Sequence, residues 1–92
     1  MRKQDLIKAV ARESKMTDAQ ATSAVNAIVD VIQNALAQGD EVTISGFGSY
    51  RVVERAAREG RNPRTGEPTT IAARRSPAFR AGTQLKTIVD KG

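Results

Sequence analysis

The stretch RVVERAAREGRNPRTGEP, residues 51–68, decides how this chain is built. Arginine recurs through it with almost no apolar side chains to bury, and Asn62-Pro63 is closely followed by Gly66. Because proline fixes φ and glycine tolerates positive φ, the chain is predicted to reverse near Pro63. The stretch therefore predicts a two-stranded ribbon with a proline at its tip.

The segments that flank this turn favour extended strands. Residues 50–60 and 68–75 contain valine, threonine and isoleucine, and they place arginine along both edges of the predicted ribbon. An isolated hairpin is only marginally stable in water, so this one needs a surface to lie on. Guanidinium groups along a ribbon match a phosphate backbone and a narrow, negative groove. A solvated basic loop is the alternative, and the proline-tipped turn is an independent signal against it.

Composition and charge restrict the class of protein. The 92 residues make one small domain, and they include no cysteine and no histidine, which excludes disulfides and imidazole or thiolate metal sites. A core this small usually needs an additional source of stability, so we expect a dimer whose core is completed across the interface. The net charge is +5, and residues 51–80 hold eight arginines against three glutamates. One face is therefore predicted to meet a polyanion.

The sequence favours neither a membrane or secreted protein nor an enzyme. No apolar run is long enough for a transmembrane helix or a secretory signal, so we expect a cytoplasmic protein with no membrane partner. No carboxylate pair has a usable spacing, and Gly46-x-Gly48 is too short for a dinucleotide fingerprint. We therefore expect no catalytic residues, no metal, no cofactor and no enzyme activity.

Hydrophobic periodicity predicts two helices at the start of the chain. The first covers residues 3–14, and its start lacks a good cap because basic residues lie against the positive helix end. Thr17 and Gln20 fit a capping box, and the second helix is predicted to run to about Gln38 and end at Gly39. Its apolar stripe consists of Ala21, Val25, Ile28, Val29, Ile32 and Leu36. The two helices form an α-hairpin.

Alternating apolar and polar residues predict a sheet after the helices. The segment 41–53 alternates and is interrupted by Gly46-Phe47-Gly48, a turn that can direct a large side chain toward a partner. Residues 71–79 return to the sheet, where Pro77 marks an edge or an end, and a short helix follows from Thr83 to about Lys91. The predicted order is α-α-β-β-β-α, with the ribbon between the second and third strands.

Three motifs together resemble those of the bacterial HU and integration host factor family of DNA-bending proteins. They are the turn 46–48, the arm sequence 60–66 (GRNPRTG) and Pro77-Ala78-Phe79 before the last helix. The resemblance implies an α+β intertwined dimer, in which a helical base carries three-stranded antiparallel sheets extended into two β-ribbon arms. It also implies one domain over 1–92, with a dimerisation hairpin at 1–39, a sheet at 40–82, an arm at about 54–75 and a last helix at 83–92.

The resemblance also implies residue roles. Family arms lie in the minor groove, where the proline at the tip wedges between base pairs and kinks the DNA, and Pro63 is the corresponding residue here. The residues expected to contact DNA are Lys3, Arg51, Arg55, Arg58, Arg61, Asn62, Pro63, Arg64, Arg74, Arg75, Arg80 and Lys86. Those expected in the dimer core are Phe47, Phe79, Ile28, Ile32, Leu36 and Ile44.

The sequence does not decide between the HU and integration host factor branches of this family, and it does not exclude RNA as a second nucleic-acid partner. HU-type members bind double-stranded DNA as homodimers with little sequence preference, compact the nucleoid and are expected to accept nicked, bulged or distorted DNA. Integration host factor subunits bind specific sites as heterodimers. Residues 71–75 favour that branch, whereas residues 53–58 and the short tail favour HU, which we prefer. Structured RNA is a further expected partner because phosphate attraction ignores sugar identity, although Tyr50 alone offers little base stacking.

Overall fold

Three helices and five strands make up the chain, and the computed structural model describes all 92 residues. In order they are α1 (Lys3–Ser14), α2 (Asp18–Ala37), β1 (Val42–Ile44), β2 (Gly48–Arg55), β3 (Arg58–Arg61), β4 (Pro68–Ile71), β5 (Arg74–Ala81) and α3 (Thr83–Lys91). The chain divides into two compact units, Met1–Ala35 and Leu36–Gly92. None of the helices combines the length and hydropathy needed to cross a bilayer.

Side-chain hydrogen bonds are present at the starts of both α1 and α2. The hydroxyl of Thr17 accepts the N–H of Gln20 at 3.1 Å, and the Gln20 side chain accepts the N–H of Thr17 at 3.0 Å. This is the predicted capping box. At α1 the Asp5 carboxylate accepts the N–H of Arg2 at 2.9 Å and lies in the positive first turn. The N-cap residue Arg2 itself makes no side-chain cap hydrogen bond, as the sequence predicted, and the sequence did not predict the contact that Asp5 supplies.

Burial within the single chain is limited to small side chains. Ala11 of α1 and Ala21 and Val25 of α2 are the buried apolar residues, and no large side chain is fully buried. Further along the α2 stripe Ile28 remains 58% exposed. One chain alone therefore lacks the large buried side chains that stabilise an ordinary domain of this length.

The second unit contains the predicted three-stranded antiparallel sheet, in the order β1-β2-β5. Val42 lies opposite Tyr50 in the first pair, and β2 pairs with β5 along its whole length, from Gly48 opposite Ala81. Pro77 lies within β5, which has a neighbour on one side only. Its missing N–H therefore faces an edge, as the sequence predicted.

Aromatic rings line one face of this sheet, which we call the inner face. The Phe79 ring centroid lies 4.8 Å from that of Tyr50 and 5.5 Å from that of Phe47. Gly48 is buried beside this group, and a methyl group on it would lie 2.5 Å from the Arg80 carbonyl oxygen and 2.6 Å from the Phe79 ring. Glycine at this position therefore lets the ring pack directly against the strand.

The replacement Gly48→Ala is expected to lower the free energy of unfolding by about 1–3 kcal/mol, because the methyl group meets backbone and a constrained ring. Gly60→Ala is the matched control, since its methyl group meets only the flexible end of Ile71 at 3.0 Å. We expect it to change stability by less than about 1 kcal/mol. Denaturant unfolding of both variants checks this, and equal effects would contradict the packing role of Gly48.

Candidate nucleic-acid interface

The predicted ribbon is present as a separate two-stranded sheet of β3 and β4. Arg58 pairs with Ile71, and Arg61 pairs with Pro68. The alanine pairs 56–57 and 72–73 separate the ribbon from β2 and β5, and they lie outside the strands. The register is unchanged across this break, so no residue is inserted. The sequence predicted one continuous ribbon and did not predict the break.

The ribbon turns at a tip organised by Asn62. Its N–H donates to the Glu67 carbonyl at 2.9 Å, and its own carbonyl accepts the N–H of Gly66 at 2.7 Å. Its side-chain oxygen accepts the N–H of Arg64 at 2.9 Å, across Pro63. Gly66 has a φ of 72°, the left-handed conformation that favours glycine. The predicted reversal is confirmed, and Asn62, expected to contact DNA, has a structural role that its place before proline signals.

The tip presents charge and a rigid ring to solvent. Residues 61–70 are all exposed, and Arg61 and Arg64 lie on either side of Asn62-Pro63. The Pro63 ring is therefore exposed, and its backbone is held by four hydrogen bonds, which include one from the Glu67 N–H to the Thr65 hydroxyl. This geometry allows the ring to contact another molecule without rearranging the turn.

Arginine is distributed unequally between the two strands of the ribbon. Arg58 and Arg61 lie on β3, whereas β4 consists of Pro68, two threonines and Ile71 and carries no charge. The expectation of arginine along both edges is therefore wrong for the ribbon itself. It holds only at the base, where Arg55 of β2 lies directly opposite Arg74 of β5.

The face of the three-stranded sheet opposite the aromatic rings, which we call the outer face, is basic. Its strand residues alternate with those of the inner face, and it includes Thr43, Ser49, Arg51, Val53, Arg55, Arg74, Ser76, Ala78 and Arg80. No carboxylate is among these positions. Like charges directly opposite each other are destabilising, so the pair Arg55 and Arg74 favours a bound anion.

Two depressions collect half of the predicted DNA-contacting side chains. One is lined by Arg51, Arg80 and Lys86, together with hydroxyl groups and a single acid, Glu41. The other lies at the base of the ribbon and is lined by Arg55, Arg58 and Arg74 with alanines and Ile71. Cations combined with hydroxyl donors suit phosphate oxygens.

Two predicted contact residues lie neither in these depressions nor at the tip of the ribbon. Arg75 is on the inner face, where it faces Glu54 with 3.7 Å between its Nε and a carboxylate oxygen. Its guanidinium also donates to the carbonyls of Leu36 and Ala37 at 3.4 Å. Lys3 lies in the other compact unit, at the start of α1. The structure therefore brings Arg51, Arg80 and Lys86 together in one group and Arg55, Arg58 and Arg74 in another, and it places Arg61 and Arg64 at the tip of the ribbon.

Sequence comparison assigns the chain to a known group. Residues 1–90 match the family described as bacterial DNA-binding protein. The chain belongs to the HU family of bacterial DNA-binding proteins. It is 52% identical to DNA-binding protein HU-beta of Neisseria meningitidis serogroup A over 86 residues, which are 94% of this chain and 97% of the relative. It is 53% identical to DNA-binding protein HU-1 of Halalkalibacterium halodurans over 89 residues, 97% of this chain and 99% of the relative.

Solved structures of HU proteins share the fold. A cocrystal structure of Anabaena HU with DNA matches all of this chain and all of that chain, with a TM-score of 0.89 and 43% identity. HU from Thermotoga maritima matches with a TM-score of 0.70 and 29% identity, over 97% of this chain and 98% of that chain. The predicted α+β fold and the resemblance to this family are confirmed. These relatives are all HU proteins, in agreement with the branch that the sequence favoured.

Proposed function

We propose that the protein is an architectural DNA-binding protein that bends double-stranded DNA with little sequence preference and compacts the bacterial nucleoid. The observation that carries this proposal is the exposed, proline-tipped ribbon with arginines on both sides of its tip. Membership of the HU family supports DNA as the ligand, since the relatives are named DNA-binding proteins and one neighbour was crystallised with DNA.

The ribbon is suited to lie in the minor groove. Arg58 and Arg61 on β3 and Arg64 at the tip supply guanidinium groups for a groove whose narrow parts have a strongly negative potential. The other strand offers small side chains, among them Thr69 and Thr70, so its backbone can come close to the groove wall. In this arrangement β3 provides the positive charge, and β4 allows the backbone of the ribbon to lie close to the DNA.

Pro63 is the residue that we assign to the kink. A proline ring is apolar and rigid, and it has no N–H to leave unsatisfied between two base pairs. Unstacking a base step costs a few kcal/mol, which extra contacts with a bent duplex offset. The hydrogen bonds of Asn62 hold the ring in place before DNA arrives, so less order has to be gained on binding. Nicked and bulged DNA is already unstacked, so the protein should prefer it.

Phosphate contacts supply most of the affinity in this proposal. A bent duplex reaches the outer face, where Arg51, Arg55, Arg74 and Arg80 lie, and Lys86 of α3 and Lys3 of α1 add further contacts. Contacts to phosphate position a protein but do not read bases. Weak sequence preference follows, which distinguishes this function from that of an integration host factor subunit.

The binding species in this proposal is a homodimer. Large apolar side chains that a single chain leaves more than one third exposed include Ile28, Val31, Ile44, Phe47, Phe79, Ile88 and Val89. Ile32 and Leu36 of the predicted dimer core are partly buried. Val31 lies outside the predicted stripe of α2, and because it is 65% exposed we assign it to the proposed interface as well. Covering these side chains with a second copy provides the core that one chain lacks.

Phe47→Ala tests the dimer, because Phe47 is 41% exposed in one chain and should be buried in two. We expect a loss of about 3–5 kcal/mol and a melting temperature that depends on protein concentration. Ile71→Ala is the control, since Ile71 has a similar exposure of 37% but lies on the ribbon. Sedimentation of the parent protein as a folded monomer at micromolar concentration would exclude the dimer.

Salt dependence tests the phosphate contacts. If about six to ten phosphates are neutralised, affinity for random duplex DNA should fall by roughly three to five decades between 50 and 200 mM salt. Arg61→Gln should lower the log–log slope by about one, whereas the control Arg12→Gln, on α1, should leave it unchanged. A slope near zero, a strong preference for one sequence, or tighter binding to duplex RNA would contradict the proposal.

Pro63→Ala separates the wedge from the charges. It removes the rigid ring and retains every arginine, so the bend should decrease while the salt slope stays the same. Fluorescence energy transfer across a duplex of about 30 base pairs measures the bend. The same measurement on a nicked duplex should show a smaller loss, because stacking is already broken there. Full bending of intact DNA by Pro63→Ala would show that the ribbons act by charge alone.

A further inference from the structure

Arg74 and Arg75 are neighbours in sequence but face opposite sides of β5. Successive strand residues alternate between faces, so Arg74 lies on the outer face opposite Arg55, and Arg75 lies on the inner face opposite Glu54. Two equal charges at the base of the ribbon are therefore directed to different surroundings.

Arg75 contacts three residues of its own unit. Its Nε lies 3.7 Å from a carboxylate oxygen of Glu54. Nη2 donates to the carbonyl oxygens of Leu36 and Ala37 at 3.4 Å, and Nη1 donates to that of Ala37 at the same distance. These bonds are long and individually weak. The planar guanidinium nevertheless has enough donors in a fixed geometry to engage both carbonyls and the carboxylate together.

The carbonyl groups at the end of α2 need a hydrogen-bond donor with a positive charge. The last carbonyls of a helix lack intrahelical donors and carry a partial negative charge. The last turn of α2 contains no basic residue, and Asp40 and Glu41 follow it. The N–H of Gly39 donates to Leu36 at 3.0 Å, and Arg75 supplies further donors together with the positive charge. Although the Arg75 side chain is 49% exposed, its guanidinium is therefore engaged by groups of the same chain.

We propose that Arg75 is a positioning residue for DNA bending, which fixes the base of the ribbon to the last turn of α2 and does not contact phosphate. It lies at the second position of β5, next to the alanine break that separates sheet from ribbon. Anchoring the strand here fixes the direction in which the ribbon leaves the sheet. Arg74, by contrast, is free to bind phosphate. This inference rests on the proposed DNA binding and replaces the phosphate contact that the family resemblance implied for Arg75.

Arg74→Gln and Arg75→Gln form a matched pair, since each removes one positive charge from the same strand. The salt slope of binding and the bend at saturating protein are measured for both, on the full-length protein. We expect Arg74→Gln to lower the slope by about one and to retain the bend of the saturated complex. Arg75→Gln should leave the slope unchanged, decrease the bend and accelerate amide exchange at Gly39, which lies beside the anchored carbonyls.

Two further variants keep the test decisive if Arg75→Gln folds poorly. Arg75→Lys keeps the charge but lacks the planar fork, so the bend should decrease with an unchanged slope. Glu54→Gln removes the carboxylate partner and no positive charge, so it should also decrease the bend without lowering the slope. If Arg75→Gln lowers the slope as Arg74→Gln does, Arg75 contacts phosphate and the inference is wrong, while DNA binding stands. A parent protein that neither bends DNA nor shows salt-dependent binding overturns both.

Discussion

The large apolar side chains of this protein lie mostly at its surface, and those that are buried are alanine and valine. A folded chain of only 92 residues has a large surface relative to its volume, and about a quarter of these residues are charged, so few side chains can be fully buried. This shortage of internal burial constrains the rest of the structure. It leaves the later part of α2, the aromatic group on the inner face and the apolar side of α3 available to a second copy, and no part of the ribbon needs to contribute to a core.

Alternation along the strands turns a basic sequence into a functional surface. One residue of difference places Arg74 among the outward cations and Arg75 against Glu54 and the end of α2. The same alternation places Tyr50 and Phe79 on the face opposite Arg51 and Arg80. The strands therefore separate the side chains that stabilise the protein from those proposed to bind DNA, and counting arginines alone does not make that distinction.

The tip of the ribbon is ordered by backbone hydrogen bonds and by the side chain of Asn62, with little help from burial. Local bonds of this kind hold a short turn in shape even where the whole segment is exposed. A rigid proline can therefore be presented at the end of a ribbon that has few apolar anchors. At the base of the ribbon the strand pairing stops at the alanines, so the direction of the ribbon depends on contacts just below them.

The sequence by itself determined the features that depend on neighbouring residues. Helix limits, the Thr17 capping box, the turn at Pro63 and the three-stranded sheet follow from local spacing and backbone preference, and the family motifs are contiguous stretches. The tertiary structure alone decided which carbonyls Arg75 would meet, how Phe79 would lie over Gly48, and where the ladder would stop at the alanines. These features depend on residues that are far apart in the chain and on the twist of paired strands, and no local pattern of amino acids encodes such distances.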